Sequence, residues 1–223
     1  MVLTFDFHTH TFFSDGELSP IELIRRAHVA GYRAIGITDH VSLANMEHMI
    51  REISLDCALA EKHWGIKALP WVELTHTPAA AIGECAKLAK SLGARIVVVH
   101  GETPVEPVEQ GTNRAALMSS YVDILAHPGF ITTEEAQIAV VNDIYLEITA
   151  RGGHSLTNGH VAKVGLAVGA KLIVNSDAHS PDNIMGAGFA AKVAQGAGIP
   201  LEALESVLLN HPLELLKRLE THS

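Results

Sequence analysis

The sequence predicts an α/β chain of repeated strand and helix units, and three observations lead there. Short continuous runs rich in Val, Ile and Leu recur along the 223 residues, as expected of parallel strands buried on both faces. Segments with helix start and stop signals lie between these runs, so the order is βα repeated, and seven units fit. Seven of the runs also end on side chains that ionise or bind metal: His8 and His10 in FDFHTH, Asp39 and His40 in AIGITDH, Glu73 in LPWVEL, His100 in IVVVHG, His127 in VDILAHPG, Glu147 in IYLEIT, and Asp177 and His179 in LIVNSDAH. A packed core has no use for imidazoles and carboxylates at one end of every strand. A site gathered from the loops after parallel strands does.

Each helix follows from its own signals. Ser19, Pro20 and Glu22 place a capping residue, a first-turn proline and an acid before IELIRRAHVA, and Gly31 ends the segment. Thr132 with Glu135 forms a capping box ahead of EEAQIAVVN, and Ser180 with Pro181 predicts a helix directly after SDAH. Further helices are expected over 42 to 63, 78 to 92, 104 to 120, 157 to 169 and 200 to 219. Within GETPVEPVEQGTN the prolines and glycines mark a rim loop near the strand tips.

Composition bounds the rest. A chain of this length with 48% hydrophobic residues fits one domain spanning 1–223, with no linker, low-complexity tract or internal repeat. No apolar stretch approaches the roughly 20 residues that cross a bilayer, and MVLTFDFHTH lacks the regions of a signal peptide. The expectation is a soluble, cytoplasmic protein. Cys57 and Cys85 read as reduced packing residues. A net charge of −9 argues against a broad phosphate-gripping surface for nucleic acid, although capture of a single phosphate stays open. Oligomeric state is not legible.

His8 and His10 are two apart, so in an extended strand they point the same way and can share a cation, and Asp6 should point with them. Mixed imidazole and carboxylate ligands suit zinc, manganese or iron. The runs HTHTFFSDG, GITDH, ILAHPG and NSDAH, with Glu73 and His100 between them, resemble the PHP family, named for polymerase and histidinol phosphatase domains. The resemblance covers essentially the whole chain. It implies a distorted (β/α)7, TIM-like barrel with two to three divalent metal ions at the C-terminal ends of the strands, and hydrolysis of phosphoric esters. Position by position, it implies that His8, His10, Glu73 and Asp177 hold a first metal. Glu73 bridges to a second, held also by His100 and His127, and Asp15, His40 and His179 hold a third. This chain has the SDG form with Asp15 where some members have a histidine, which leaves the affinity of the third site open.

From these ligands the expected enzyme is a phosphatase acting on a small-molecule phosphomonoester, as histidinol phosphatase does, through metal-activated hydroxide. Glu73, Asp177 and His179 are the catalytic candidates; the last two sit where an acid or base could act. Arg151 and Arg114 are candidate phosphate contacts because a planar guanidinium suits phosphate oxygens. His76 and His154, just beyond strand ends, are candidate substrate or supporting contacts. Asp39 is read as orienting His40 or shaping the rim, Glu147 as a hydrogen-bond partner of a ligand or a buried partner of Arg151, and Glu102 as a substrate or solvent contact. His28, His48, His63, His160, His211 and His222 read as structural, and Trp64, Trp71 and Tyr121 as packing.

Three other functions stay open. The same site could run a phosphodiesterase or 3′ to 5′ exonuclease reaction, the barrel could be a non-catalytic metal-binding scaffold, or it could be a metal-dependent amidohydrolase. The last usually carries a lysine where His100 stands. An exonuclease would want an aromatic, basic groove, and only 5% of the chain is Phe, Trp or Tyr.

Overall fold

A computed structural model of the chain describes residues 4–186 and 188–221; His222 lies outside them. Nine strands are described: β1 (Thr4–Asp6), β2 (Tyr32–Ile37), β3 (His40–Val41), β4 (Lys67–Pro70), β5 (Val72–Leu74), β6 (Val97–His100), β7 (Ile124–Ala126), β8 (Tyr145–Thr149) and β9 (Leu172–Asn175). They form two parallel sheets, ordered β1-β2-β4 and β3-β5-β6-β7-β8-β9. Hydrogen bonds carry across the boundary between the sheets: Trp71 N donates to the Ile37 carbonyl at 2.8 Å and Glu73 N to that of Asp39 at 3.2 Å. Beyond the strand ends, Thr9 and Ala178 pair in a parallel bridge, and His10 N donates to the Ala178 carbonyl at 2.8 Å. The first and last strands therefore meet on the side that carries the ionisable residues.

The described α-helices are α1 (Pro20–Val29), α2 (Met46–Trp64), α3 (Ile82–Ser91), α4 (Thr112–Leu117), α5 (Thr133–Val141), α6 (Asn158–Val168), α7 (Phe189–Gly196) and α8 (His211–Thr221). Local chemistry sets the starts of α1 and α5: the Ser19 side chain accepts from Glu22 N, and Thr132 and Glu135 form a reciprocal capping box. Two expected helices differ. Of the span 104 to 120 only α4 is helical, because Pro104 and Pro107 hold the residues before them out of the helical region. The Glu102 carboxylate instead accepts from the amides of Gly111 and Asn113. After Ser180 the chain makes only one 3₁₀ turn, Pro181–Asn183, and Gly186 and Gly188, the latter at φ +78°, delay α7 until Phe189. None of the described helices is long and apolar enough to cross a membrane. Cys57 and Cys85 are buried free thiols.

The strands bury both faces. In β6, Val97 and Val99 join a large cluster that packs strands against helices, while Val98, with Ile96 just before the strand, joins a second cluster with Phe5, Phe7, Trp71, Ile124, Tyr145 and Ile173. On that second face the chemistry changes within one pleat repeat. Trp71 is followed two residues on by Glu73, Val98 by His100, Tyr145 by Glu147 and Ile173 by Asn175. Because alternate residues share a face, four strands each present an apolar residue and then a polar one about 7 Å further along. Gly36 is obligatory beneath this layer, since a Cβ there would lie 2.6 Å from the Trp71 ring.

Candidate metal centre

The strand ends converge on a buried cluster of imidazoles and carboxylates. Glu73 is at its centre and fully buried. Its Oε1 lies 3.4 Å from His8 Nε2, 3.5 Å from His100 Nδ1 and 3.8 Å from His127 Nε2; its Oε2 lies 2.7 Å from His40 Nδ1 and 3.7 Å from His10 Nε2. Asp177 faces it, with Oδ1 3.3 Å from His10 Nε2 and 3.7 Å from His8 Nε2. Asp15 meets His40 Nε2 at 3.4 Å and His179 Nε2 at 3.1 Å. Ligand atoms close enough to share one cation occur in the groups His8, His10 and Asp177; Glu73, His100 and His127; and His10, Asp15, His40 and His179; two further groups, His8, His127 and Glu147 and His127, His154 and Asp177, bring in Glu147 and His154. All nine residues expected as ligands are thus brought together, from six separate strand ends and the loop after β1.

Hydrogen bonds leave much of the cluster unsatisfied. His8 Nε2, both ring nitrogens of His10, Glu73 Oε1, His100 Nδ1 and His127 Nδ1 are buried with no hydrogen-bond partner. An orphaned buried polar atom costs about 1–3 kcal/mol, so this many in one place suits a centre completed by cations. The donor set of imidazole nitrogens and carboxylate oxygens is that of divalent transition metals.

The charges sustain one another. Burial alone would raise the Glu73 carboxyl, but His8 and His40 overcome it and hold it well below the carboxylate range. Burial would likewise lower His40, yet Glu73 and Asp15 raise it to about 10, and Glu147, Asp177 and Glu73 raise His8 well above the imidazole range. Asp177 is pushed up to about 7, chiefly by burial. His10 and His127 are driven down by burial and by neighbouring imidazoles.

Backbone strain accompanies the cluster. Of four non-glycine residues at positive φ among the described residues, three belong to it or its rim: His76 at 53°, His127 at 27° and Asp177 at 53°. Such conformations persist where surrounding structure enforces them. Asp39 supplies part of that enforcement. It accepts from Thr11 N at 2.7 Å, Thr11 Oγ1 at 2.6 Å and Ser14 Oγ at 2.5 Å, so it anchors the loop carrying Asp15 and makes no hydrogen bond to His40. Asp6 departs from expectation too. Its Oδ1 accepts from the amides of His8 and Ser176, and it joins none of the groups above.

Glu147 belongs to the site for a reason the sequence did not settle. Its Oε2 lies 2.7 Å from His8 Nδ1 and accepts from Asn175 Nδ2 at 2.9 Å, so its partner is a ligand candidate and not Arg151. The missed signal was its position two residues after Tyr145 on the inner face of β8. His154 is also deeper than expected: it is buried, its ring stands 4.3 Å from that of His127, and burial, with the charges of His100 and Arg151, lowers it to about 4.

At the rim, Arg151 Nη1 lies 2.5 Å from His179 Nδ1, and its Nε lies 3.7 Å from Asp177 Oδ2. The His179 ring nitrogen Nδ1 also stands 3.0 Å from the Asp177 carbonyl. His76 pairs with Glu106 at 3.2 Å, and Glu106 reaches His154 at 3.7 Å. Arg114 is elsewhere: it sits exposed on α4 and pairs with Glu134 at 3.0 Å. Glu102 holds the rim loop against α4 by accepting from the amides of Gly111 and Asn113. Among the histidines read as structural, His28 stacks on Trp64, while His160 and His211 bond the Ile131 and Leu172 carbonyls.

The sequence matches the PHP domain family over residues 6–96. It is 51% identical to an uncharacterized protein of Methanocaldococcus jannaschii over 97% of this chain and all of that one. It is 28% identical to a probable phosphatase of Thermoanaerobacter sp. over 97% of this chain and 94% of the relative. In structure it resembles histidinol phosphate phosphatase of Lactococcus lactis, solved with zinc, L-histidinol and phosphate. The TM-score is 0.61 at 17% identity, covering 88% of this chain and 94% of the other, and this likeness shows the fold.

Proposed function

The chain belongs to the PHP domain family, and we propose that it is a metal-dependent phosphatase that hydrolyses a small-molecule phosphomonoester. The observation that carries this reading is the convergence of Glu73, Asp177, Asp15 and six imidazoles, with orphaned buried nitrogens and oxygens, at one end of a parallel β-structure. The probable phosphatase from Thermoanaerobacter and the zinc-bound histidinol phosphate phosphatase support it. The same reading takes the nine strands as seven positions of one barrel domain, with β2 and β3 sharing a position, β4 and β5 another, and the Thr9–Ala178 bridge closing the ring.

Two to three divalent cations, zinc, manganese or iron, would be held by His8, His10, Glu73 and Asp177, by Glu73, His100 and His127, and by Asp15, His40 and His179. When bound, they would neutralise phosphoryl charge and make a water molecule more acidic. The protein's own groups do the rest. Glu73 would serve both inner sites, since its unpartnered Oε1 lies 3.4 Å from His8 Nε2 and 3.5 Å from His100 Nδ1. Glu147 holds His8 by Nδ1 and so leaves Nε2 directed at the cluster. Arg151, beside Asp177 and His179, offers N–H groups to phosphate oxygens. Neutral His154 lines the wall without adding a competing charge. Overall, the water oxygen ends on phosphorus and one of its protons on the leaving alcohol oxygen.

A panel of phosphomonoesters and a bis-ester, assayed before and after chelation and with zinc, manganese or iron restored, tests the proposal. Monoester turnover lost on chelation and regained with metal supports it. Turnover of the bis-ester alone would replace it with a phosphodiesterase.

A further inference from the structure

Outside the nine expected ligands, one more imidazole turns inward toward the same cluster. His154 opens a 3₁₀ turn, His154–Thr157, just past β8, and Gly153 before it takes φ +88°, a bend that favours glycine. Asn158 closes the base of this loop: its Nδ2 donates to the Thr149 carbonyl at 2.7 Å, and its Oδ1 accepts from Thr149 N at 3.2 Å. The ring is therefore held in place, and it is held inside, with only 5% of the residue exposed. Its surroundings repeat those of His8. His8 has Glu147 Oε2 2.7 Å from Nδ1 and a buried, orphaned Nε2; His154 has Glu106 Oε2 3.7 Å from Nε2 and a buried, orphaned Nδ1. A carboxylate behind one ring nitrogen, with the other left bare, is how metal-binding histidines are oriented.

Ligand atoms of His127, His154 and Asp177 lie within 4.8 Å of one another. All three residues border a cavity of about 10 Å³ at the mouth of the cluster, close to the space that one water molecule needs. Asp177 divides its oxygens: Oδ1 faces His8 and His10, while Oδ2 stands 3.7 Å from His127 Nε2 and 3.7 Å from Arg151 Nε. Building on the reading of the cluster as a cation site, we infer that His154 is a tenth metal ligand, that with His127 and Asp177 it forms a further seat for a divalent transition metal, and that Glu106 orients its ring. Two imidazoles and one carboxylate make a three-ligand set of the kind that holds zinc and leaves a fourth position open. His127 Nε2 also stands 3.8 Å from Glu73 Oε1, and one ring nitrogen binds one cation at a time. The Glu73, His100 and His127 seat and the His127, His154 and Asp177 seat are therefore alternative placements of a single inner cation, so the number of cations per chain does not rise. The group His8, His127 and Glu147 offers no such seat, because Glu147 Oε2 already engages His8 Nδ1 and Asn175 Nδ2.

The test weakens the competing seat and asks where the cation goes. Zinc-loaded His100→Gln protein should keep its inner cation by elemental analysis, because His127, His154 and Asp177 remain. Adding His154→Gln to it should remove about one cation per chain, and adding Glu106→Gln instead should weaken retention of that cation about tenfold in competition with a chromophoric chelator. Near-ultraviolet circular dichroism confirms the fold of each variant. Zinc-loaded wild-type crystals give a second measure that needs no substitution: part of the anomalous density should lie within about 2.0–2.1 Å of a His154 nitrogen, the zinc–imidazole distance. Equal cation counts in the single and double variants, or zinc density that nowhere reaches His154, would overturn the seat. None of these readouts uses turnover, so failure of the phosphatase reading would show separately, as bound cations without hydrolysis of any monoester.

Discussion

The two halves of the inner face obey opposite rules although the same strands build them. Trp71, Val98, Tyr145 and Ile173 are fully buried, apolar in body and mutually packed; two residues later Glu73, His100, Glu147 and Asn175 are as buried but polar. The first layer gains from leaving water. The second loses by it, keeps orphaned nitrogens and oxygens, and bends His127 and Asp177 into positive φ. A fold that tolerates the second layer does so because the first holds the strands in register. Substitutions should therefore divide cleanly: in the apolar layer they change stability, and in the ionisable layer they change metal and chemistry.

The sharpest attempt to break this division is Glu73→Gln, which takes one anionic ligand from two cation groups at once. Outer-shell partners of metal ligands are each worth about 10–100-fold, so the loss of this carboxylate should exceed about 100-fold in turnover, with metal content falling by elemental analysis. Full activity with full metal would contradict its central place. Glu147→Gln removes the anion behind His8 while keeping its shape, and should cost about 10–100-fold in metal affinity, read by competition with a chromophoric chelator. An unchanged affinity would return Glu147 to a structural role. Arg151→Ala should raise KM several-fold and leave metal content alone; loss of metal without a change in KM would reverse that assignment. Ile96→Ala, in the apolar layer, should cost about 2–5 kcal/mol of stability in denaturant titrations, while the protein that remains folded binds its full complement of metal.

Proton linkage sharpens the same contrast. Without cations, His40 is raised to about 10 and His8 well above its usual value by the surrounding carboxylates, so both carry protons at neutral pH. A cation needs the neutral ring. Metal entry must expel these protons, and affinity should rise with pH across the neutral range. Calorimetry in buffers of different ionisation enthalpy checks the proton release. Binding without any proton release would mean that the imidazoles are already neutral.

How much of this was legible in the sequence depended on the kind of signal. The parallel strands and the capped starts of α1 and α5 follow from local residues whose physics does not depend on distant partners. Eight members of the cluster were legible because they end apolar runs, whereas Asp15, in the loop after β1, was reached only through the resemblance to the PHP family. Asp6, Asp39 and Glu102 were not, since the carboxylate's use is set by which backbone amides the fold delivers: those of His8 and Ser176 to Asp6, of Thr11 to Asp39, of Gly111 and Asn113 to Glu102. Arg114 and Arg151 were both phosphate candidates as sequence; tertiary structure separates them by pairing Arg114 with Glu134 and setting Arg151 beside Asp177 and His179. The expected helix before α4 failed for a local reason that was visible in Pro104 and Pro107.

The central claim is that the ionisable layer is a cation site. Elemental analysis of protein purified without chelator, joined to anomalous scattering from its crystals, tests it most directly. The account predicts two to three divalent cations per chain, bounded by Glu73, Asp177 and the strand-end histidines. A metal-free protein that hydrolyses phosphomonoesters at full rate in the presence of chelator would contradict it.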